Sequence, residues 1–202
     1  MRYGFLYSLV FLISCGWSCI KPNKPVQYLS QEIKDYTDYK TGSYWVYQDT
    51  KNSANQDSIS LIYHNQFIIP GEDGADGPGP SEAFNDTFVS SLNGKFMGSG
   101  SGSENYYYIQ YHSWPNFETI YFIPKNGEIL DAWGNLYLEN SSEHPIIAGK
   151  QYYNVKDFIV NPQGGSNIIS PLKEILWAKN IGVIQKTDST TTWQLIRYHV
   201  VQ

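Results

Sequence analysis

The stretch SISLIY, residues 58–63, decides the fold class. Successive side chains of an extended chain point to opposite faces, so Ile59, Leu61 and Tyr63 fall on one side and Ser58, Ser60 and Ile62 on the other. One side then carries three large apolar groups and the other two hydroxyls, which predicts a strand with one buried face. Outward from it, the chain beyond Gly42 keeps the same character. Tyr, Thr, Ile, Val and Trp come in short runs separated by Gly, Pro, Asn and Asp, the composition of strands and turns. Further strands are expected at 44–48, 84–92, 106–111, 118–123, 136–138, 151–160, 175–178, 182–186 and 192–201. The loops between them are mostly short, so the strands should run antiparallel; parallel pairing needs crossovers of about a dozen residues. The expected fold is mainly β: a curved antiparallel sheet, half-barrel or sandwich over residues 42–202. One short N-terminal helix is expected within 26–39, where Tyr28, Leu29, Ile33 and Tyr36 approach helical spacing and Ser30 stands three residues before Ile33. Two Gly-rich stretches, GEDGADGPGP at 71–80 and GSGSGS at 98–103, are expected as mobile loops.

At 202 residues the chain has room for one domain of ordinary size. Both cysteines, Cys15 and Cys19, lie in the first twenty residues, so the body holds neither a disulfide framework nor a thiolate metal site. Redox chemistry through cysteine is thereby excluded, and nothing in the sequence implies a cofactor. The formal charge is −5, and the lysines are scattered singly. Without a basic patch or stripe to meet a phosphate backbone, no nucleic-acid partner is expected.

Arg2 followed by an apolar run at 5–13 has the form of a secretory signal, and the run is too short to span a bilayer. At 1.5 Å rise per residue it covers under half of a hydrocarbon core about 30 Å thick. Leu12, Ile13, Ser14 and Cys15 then resemble the lipobox of bacterial lipoproteins, which implies cleavage before Cys15 and acylation of that residue. Cys19, preceded by Gly16, Trp17 and Ser18, is the competing and poorer site. The expected organisation is a signal peptide at 1–14, then lipidated cysteine, tether and short helix at 15–41, then the β domain at 42–202. Lys21, Pro22, Lys24 and Pro25 suit an extended polar spacer. The membrane is thus an expected partner, through the N-terminal lipid. No acidic cluster follows the cysteine. Such a cluster resembles a surface-export signal in lipoproteins of the Bacteroidota, so an outer-membrane location with the periplasmic face favoured over the cell surface is expected.

The run Gly42 to Tyr47 (GSYWVY) with Asp57 to Leu61, and the run Trp177 to Lys186 (WAKNIGVIQK) with Trp193 to Gln202 (WQLIRYHVVQ), resemble the opening strand pair and closing hairpin of uncharacterised small lipoproteins of the Bacteroidota. The closing hairpin is also similar to that of periplasmic curved-sheet proteins, which include lipoprotein carriers. Together with the signal this covers about a third of the chain. The resemblance implies location and fold; it brings no catalytic residues.

Motifs for catalysis and metal binding are weak. Glu72, Asp73 and Asp76 fail the calcium-loop pattern, because Ala75 and Phe84 stand where the third and twelfth positions need oxygen ligands. His64, His112, His144 and His199 show no zinc-ligand spacing, so no metal site is expected. The 98–103 run lacks the strand-to-helix setting of a nucleophile elbow, and phosphate- and dinucleotide-binding fingerprints are missing. No catalytic residue is assigned. The unusual feature is aromatic: seventeen tyrosines, six tryptophans and nine phenylalanines, with Tyr106, Tyr107 and Tyr108 consecutive. In a strand, Tyr107 faces opposite to Tyr106 and Tyr108. Tyr106 and Tyr108, with Trp114, Trp133 and Tyr111 as companions, are candidates for an exposed aromatic platform suited to sugar rings or apolar ligands. Asp57–Ser58 and Asp188–Ser189–Thr190 resemble short glycosylation acceptors of exported proteins in the same phylum. The functional expectation is a lipid-anchored, non-enzymatic module binding a small-molecule, glycan or protein ligand. The alternatives are a carbohydrate-binding lipoprotein in glycan uptake, or a hydrolase with a site assembled from distant residues.

Overall fold

The computed structural model describes residues 24–72, 77–103, 106–113, 116–123, 128–131, 136–142, 144–160 and 172–202, and between 110 and 143 the course and pairing of the strands. One helix, α1 (Gln31–Thr37), precedes fourteen strands among these residues. They are β1 (Tyr44–Asp49), β2 (Gln56–Ile69), β3 (Ser81–Ser90), β4 (Gly94–Ser101), β5 (Tyr106–Ser113), β6 (Asn116–Ile123), β7 (Glu128–Asp131) and β8 (Leu136–Ser142). After them come β9 (Ile146–Ile147), β10 (Lys150–Gln151), β11 (Val155–Val160), β12 (Leu172–Ala178), β13 (Gly182–Asp188) and β14 (Thr192–His199).

The short loops dictate the topology. Each strand pairs antiparallel with its chain neighbour, apart from β9 and β10, which form a small sheet of their own while β8 pairs directly with β11. The expected curved antiparallel sheet is present, and its curvature runs the full circle, since β1 pairs with both β2 and β14. Twelve strands make the ring. The nine from β11 through β1 to β5 form a curled half-barrel, and β6, β7 and β8 close the circuit.

The inner face is apolar. Trp45, Tyr47, Leu61, Phe88, Phe96, Ile184 and Leu195 are buried together, with Phe88 stacked on Phe96 at 5.0 Å and Trp45 meeting Tyr39 edge-on at 5.2 Å. The helix fills what the strands leave open. Ser30 caps it by accepting from the Ile33 N–H, and Ile33, Tyr36 and the preceding Leu29 pack against Phe84, Tyr107, Phe158, Ile175 and Trp177. The Trp177 indole and the Tyr36 hydroxyl donate to the carbonyls of Tyr36 and Asn154, at 3.0 Å each. Ile175, Leu176, Trp177 and Ala178 are buried in succession, which with period-2 alternation means both faces of β12 are covered. Ile175 and Trp177 meet the helix, whereas Leu176 and Ala178 belong with Ile147 and Tyr152 of the β9–β10 excursion, tied to β14 by Lys150 donating to the Tyr198 hydroxyl. On β3 and β4 the outer face carries Asn85, Thr87, Lys95, Ser99 and Ser101 together with the exposed Val89 and Met97. Among the described residues no helix is long and apolar enough to cross a membrane.

Two expectations fail for physical reasons. Tyr63 is exposed and does not share the buried face of Leu61, because the register of β2 slips at Leu61/Tyr63; this β-bulge turns the rest of the strand over. Residues 98–101 of the GSGSGS stretch are not a loop. They complete β4, whose backbone pairs on both sides with β3 and β5. Of the other Gly-rich stretch, residues 73–76 lie outside the described residues.

Candidate functional site

The glycines of β4 explain the polar centre of the barrel. Strict Gly-Ser alternation puts Gly98 and Gly100 on the inner face, where a Cβ at 98 would run into the Tyr107 hydroxyl and one at 100 would sit 3.1 Å from the Tyr107 ring and 3.4 Å from Leu29. Two missing side chains make a slot in which the Tyr107 ring lies flat. Its hydroxyl, buried, donates to Asp86 Oδ2 at 2.7 Å. Asp86 is the register partner of both Gly98 and His64, and its Oδ1 lies 2.8 Å from His64 Nδ1. A carboxylate accepting from Tyr107 on one oxygen takes the Nδ1–H of His64 on the other. Nε2 then faces the segment after α1, with Lys40 Nζ at 3.3 Å and Asp38 Oδ1 at 3.6 Å. The β2 bulge matters here, since without it His64 would point outward.

A second polar station holds the helix. Glu82 of β3, almost fully buried, accepts from the Leu29 N–H at 3.0 Å and from Lys34 Nζ at 2.8 and 2.9 Å, and Gln66 donates to it as well. Burial alone would push its carboxyl up. The Lys34, Gln66 and Leu29 hydrogen bonds together outweigh that and hold it below the usual glutamate value. From the other side of the barrel, Lys156 pairs with Glu32 at 2.9 Å and Lys179 with Asp35 at 2.6 Å. Tyr39, inside the same core, has its hydroxyl pushed far above the normal range by burial, so it stays protonated.

Chemically, a His oriented by a buried Asp is two thirds of a nucleophilic triad. The remaining third is missing among the described residues: His64 Nε2 meets an ammonium and a carboxylate, not a hydroxyl or thiol. Nor do these residues include a group of three metal-ligating side chains placed to hold an ion. His144 packs on Tyr153 and His199 beside Tyr44.

The anticipated aromatic pair lies where strand alternation puts it. Tyr107 is buried, while Tyr106 and Tyr108 are half-exposed on the outer face, their rings 6.0 Å apart and tilted by 30°. Their register partners are Ser101 and Ser99, and Ser99 donates to Asn85, so the pair sits on an uncharged hydroxyl and amide surface. Tyr111 is part of β5. Trp114, Trp133, Cys15 and Cys19 lie outside the described residues. In both Asp-Ser motifs the aspartate braces a turn. Asp57 accepts from Ser90 Oγ, Ser91 Oγ and the Leu92 N–H, and Asp188 from the Thr190 and Thr191 N–H groups. Ser58 and Thr190 are accessible.

Sequence reasoning singled out His64 only as a zinc ligand and Tyr107 only as the inward member of a triplet. The signal that would have joined them was the alternation of GSGSGS, which empties one face of one strand so that a neighbouring ring can fill it. Comparison with known proteins gives no match: no family model, curated protein or solved structure is similar to the chain.

Proposed function

We propose that this protein is a lipid-anchored cell-envelope binding module, without catalytic activity, that engages its ligand on the outside of the barrel. The observation that carries this is the disposition of the two faces. The inner face of the half-barrel is occupied by its own aromatics and by α1, so the convex face is what remains to offer, and there Tyr106 and Tyr108 stand together on an uncharged hydroxyl surface. The N-terminal signal and Cys15 support the anchor.

That surface favours a glycan as the ligand. Aromatic faces take the apolar side of a sugar ring while neighbouring hydroxyls and amides exchange hydrogen bonds with its rim. Intact mass of protein from its own membranes should begin at an acylated Cys15. On a glycan array, binding should fall about tenfold or more in Tyr106→Ala and Tyr108→Ala, in keeping with the ~1–3 kcal/mol of a stacking contact. Trp114→Ala and Trp133→Ala test the further members of the platform. A blank array for the wild-type chain removes the glycan. Turnover of ester, glycoside or peptide substrates that is lost in His64→Ala overturns the non-enzymatic reading.

A further inference from the structure

We infer that one rim of the barrel, carrying Tyr28, Ile68 and Ile69, rests on the lipid bilayer surface. This goes beyond the binding-module reading and rests on its anchor. The rim is where the chain enters the barrel. Gln27 bridges to Ser81, donating to the Pro80 carbonyl at 2.8 Å and accepting from the Glu82 N–H at 2.9 Å. Ile69 and Ile68 are the register partners of Ser81 and Glu82. Three large apolar residues thus lie at one end of the barrel, Ile68 and Ile69 on opposite faces at the end of β2, and they are 63, 45 and 42% exposed for Tyr28, Ile68 and Ile69, in a protein whose inner face buries most residues of that kind.

The length of the tether selects the partner. From Cys15 to Lys24 there are nine residues, which reach at most about 30 Å, and from Cys19 five, about 17 Å. The far end of β2, Gln56, lies thirteen residues along the strand from Ile69, about 43 Å at ~3.3 Å per residue. An acylated chain therefore lets the Tyr28 rim reach the headgroups and keeps the opposite end beyond the tether's length. Charge does not select the surface, because Lys24 and Glu72, of opposite sign, are both tied to the turn at Gly77 and Pro78 beside this rim. Tyrosine and isoleucine suit a headgroup boundary that admits apolar side chains to a depth of ~5–10 Å.

The test uses the full-length lipidated protein in vesicles of phosphatidylethanolamine and phosphatidylglycerol with brominated acyl chains. A fluorophore is placed at Ile69→Cys or, at the opposite end, at Ala54→Cys, with the non-acylated native cysteine replaced by Ser. Bromine quenching should be about two-fold or more stronger at 69 than at 54, should persist in high salt, and should weaken at a Tyr28→Cys probe when Ile68→Ser and Ile69→Ser are combined. These rim residues are exposed, so the serine variants keep the fold, checked by an unchanged melting temperature. Equal or absent quenching at both ends of a chain whose mass shows the acyl groups overturns the docking alone. A chain without acyl groups overturns the anchor and the docking together, and a probe at 69 shielded by crosslinking between copies replaces the bilayer with a second copy of the chain.

Discussion

Tyr107 shows how closely a single residue's role depends on the absence of others. Its ring occupies the space of two side chains that Gly98 and Gly100 do not have, and its hydroxyl reaches the carboxylate that orients His64. Replacing Gly98 by Ala should therefore cost ~1–3 kcal/mol by overpacking, because the displaced atom is the far end of a rigid ring hydrogen-bonded at its tip. Tyr107→Phe should cost a similar ~1–3 kcal/mol, because it leaves one oxygen of a buried carboxylate without its donor. Urea unfolding at constant m-value measures both. If Gly98→Ala is neutral while Tyr107→Phe is not, the slot is looser than described. At this scale the sequence was partly legible. The inward turn of Tyr107 follows from its place between two tyrosines, whereas its partner Asp86 lies twenty-one residues away on another strand with no local sign of the link.

Among the elements, α1 is the one whose position depends most on charge. Seven residues are too few for a helix to persist by its own hydrogen bonds, so its place comes from Ile33 and Tyr36 in the core and from Glu82, Lys156 and Lys179 around it. Because the Glu82 carboxyl is held below its ordinary value of 4.5, its contribution to stability is complete above that value and is lost as the pH falls through the lowered one. The melting temperature should fall on acidification below about pH 5. In Glu82→Gln it should start lower at pH 7 and fall less steeply. Asp35, lowered by its Lys179 hydrogen bond, and Asp49, lowered by that from Thr191, leave a residual slope in the variant. Identical acid slopes for the two proteins would remove Glu82 as the main determinant. The helix itself was legible from Ser30 and the spacing of Ile33 and Tyr36. Strand β4 was not, because composition reads glycine as flexibility, and only pairing on both sides shows it as a strand with one empty face. The β2 bulge was hidden for a related reason: Ile59, Leu61 and Tyr63 keep their period of two through the slip, and Ile62 alone breaks the alternation where the cross-strand register shifts.

For the whole molecule, the decisive fact is that β1 has no free edge. An open half-barrel leaves two strands with unpaired backbone groups, and here both belong to one antiparallel seam, Tyr44 opposite His199 through to Asp49 opposite Trp193. Ser43 reinforces it by accepting from the Val201 N–H, while Lys40 N–H donates to the Val201 carbonyl. By native-state hydrogen exchange, the amides of β1 and β14 should be protected to within about tenfold of those in the middle of β3, whereas an open seam would let them exchange far faster. Curvature was legible from many short strands in hairpin order, but closure was not, since it joins segments about 150 residues apart through backbone groups that every residue has. The seam also sets a timetable for the newborn chain. Strands far apart along the chain must find each other, and until β14 has joined β1 both edges stand open to any other β-chain nearby. Closure is therefore a non-local event that carries its own loop-entropy cost, and a ring sealed in this way is expected to fold slowly.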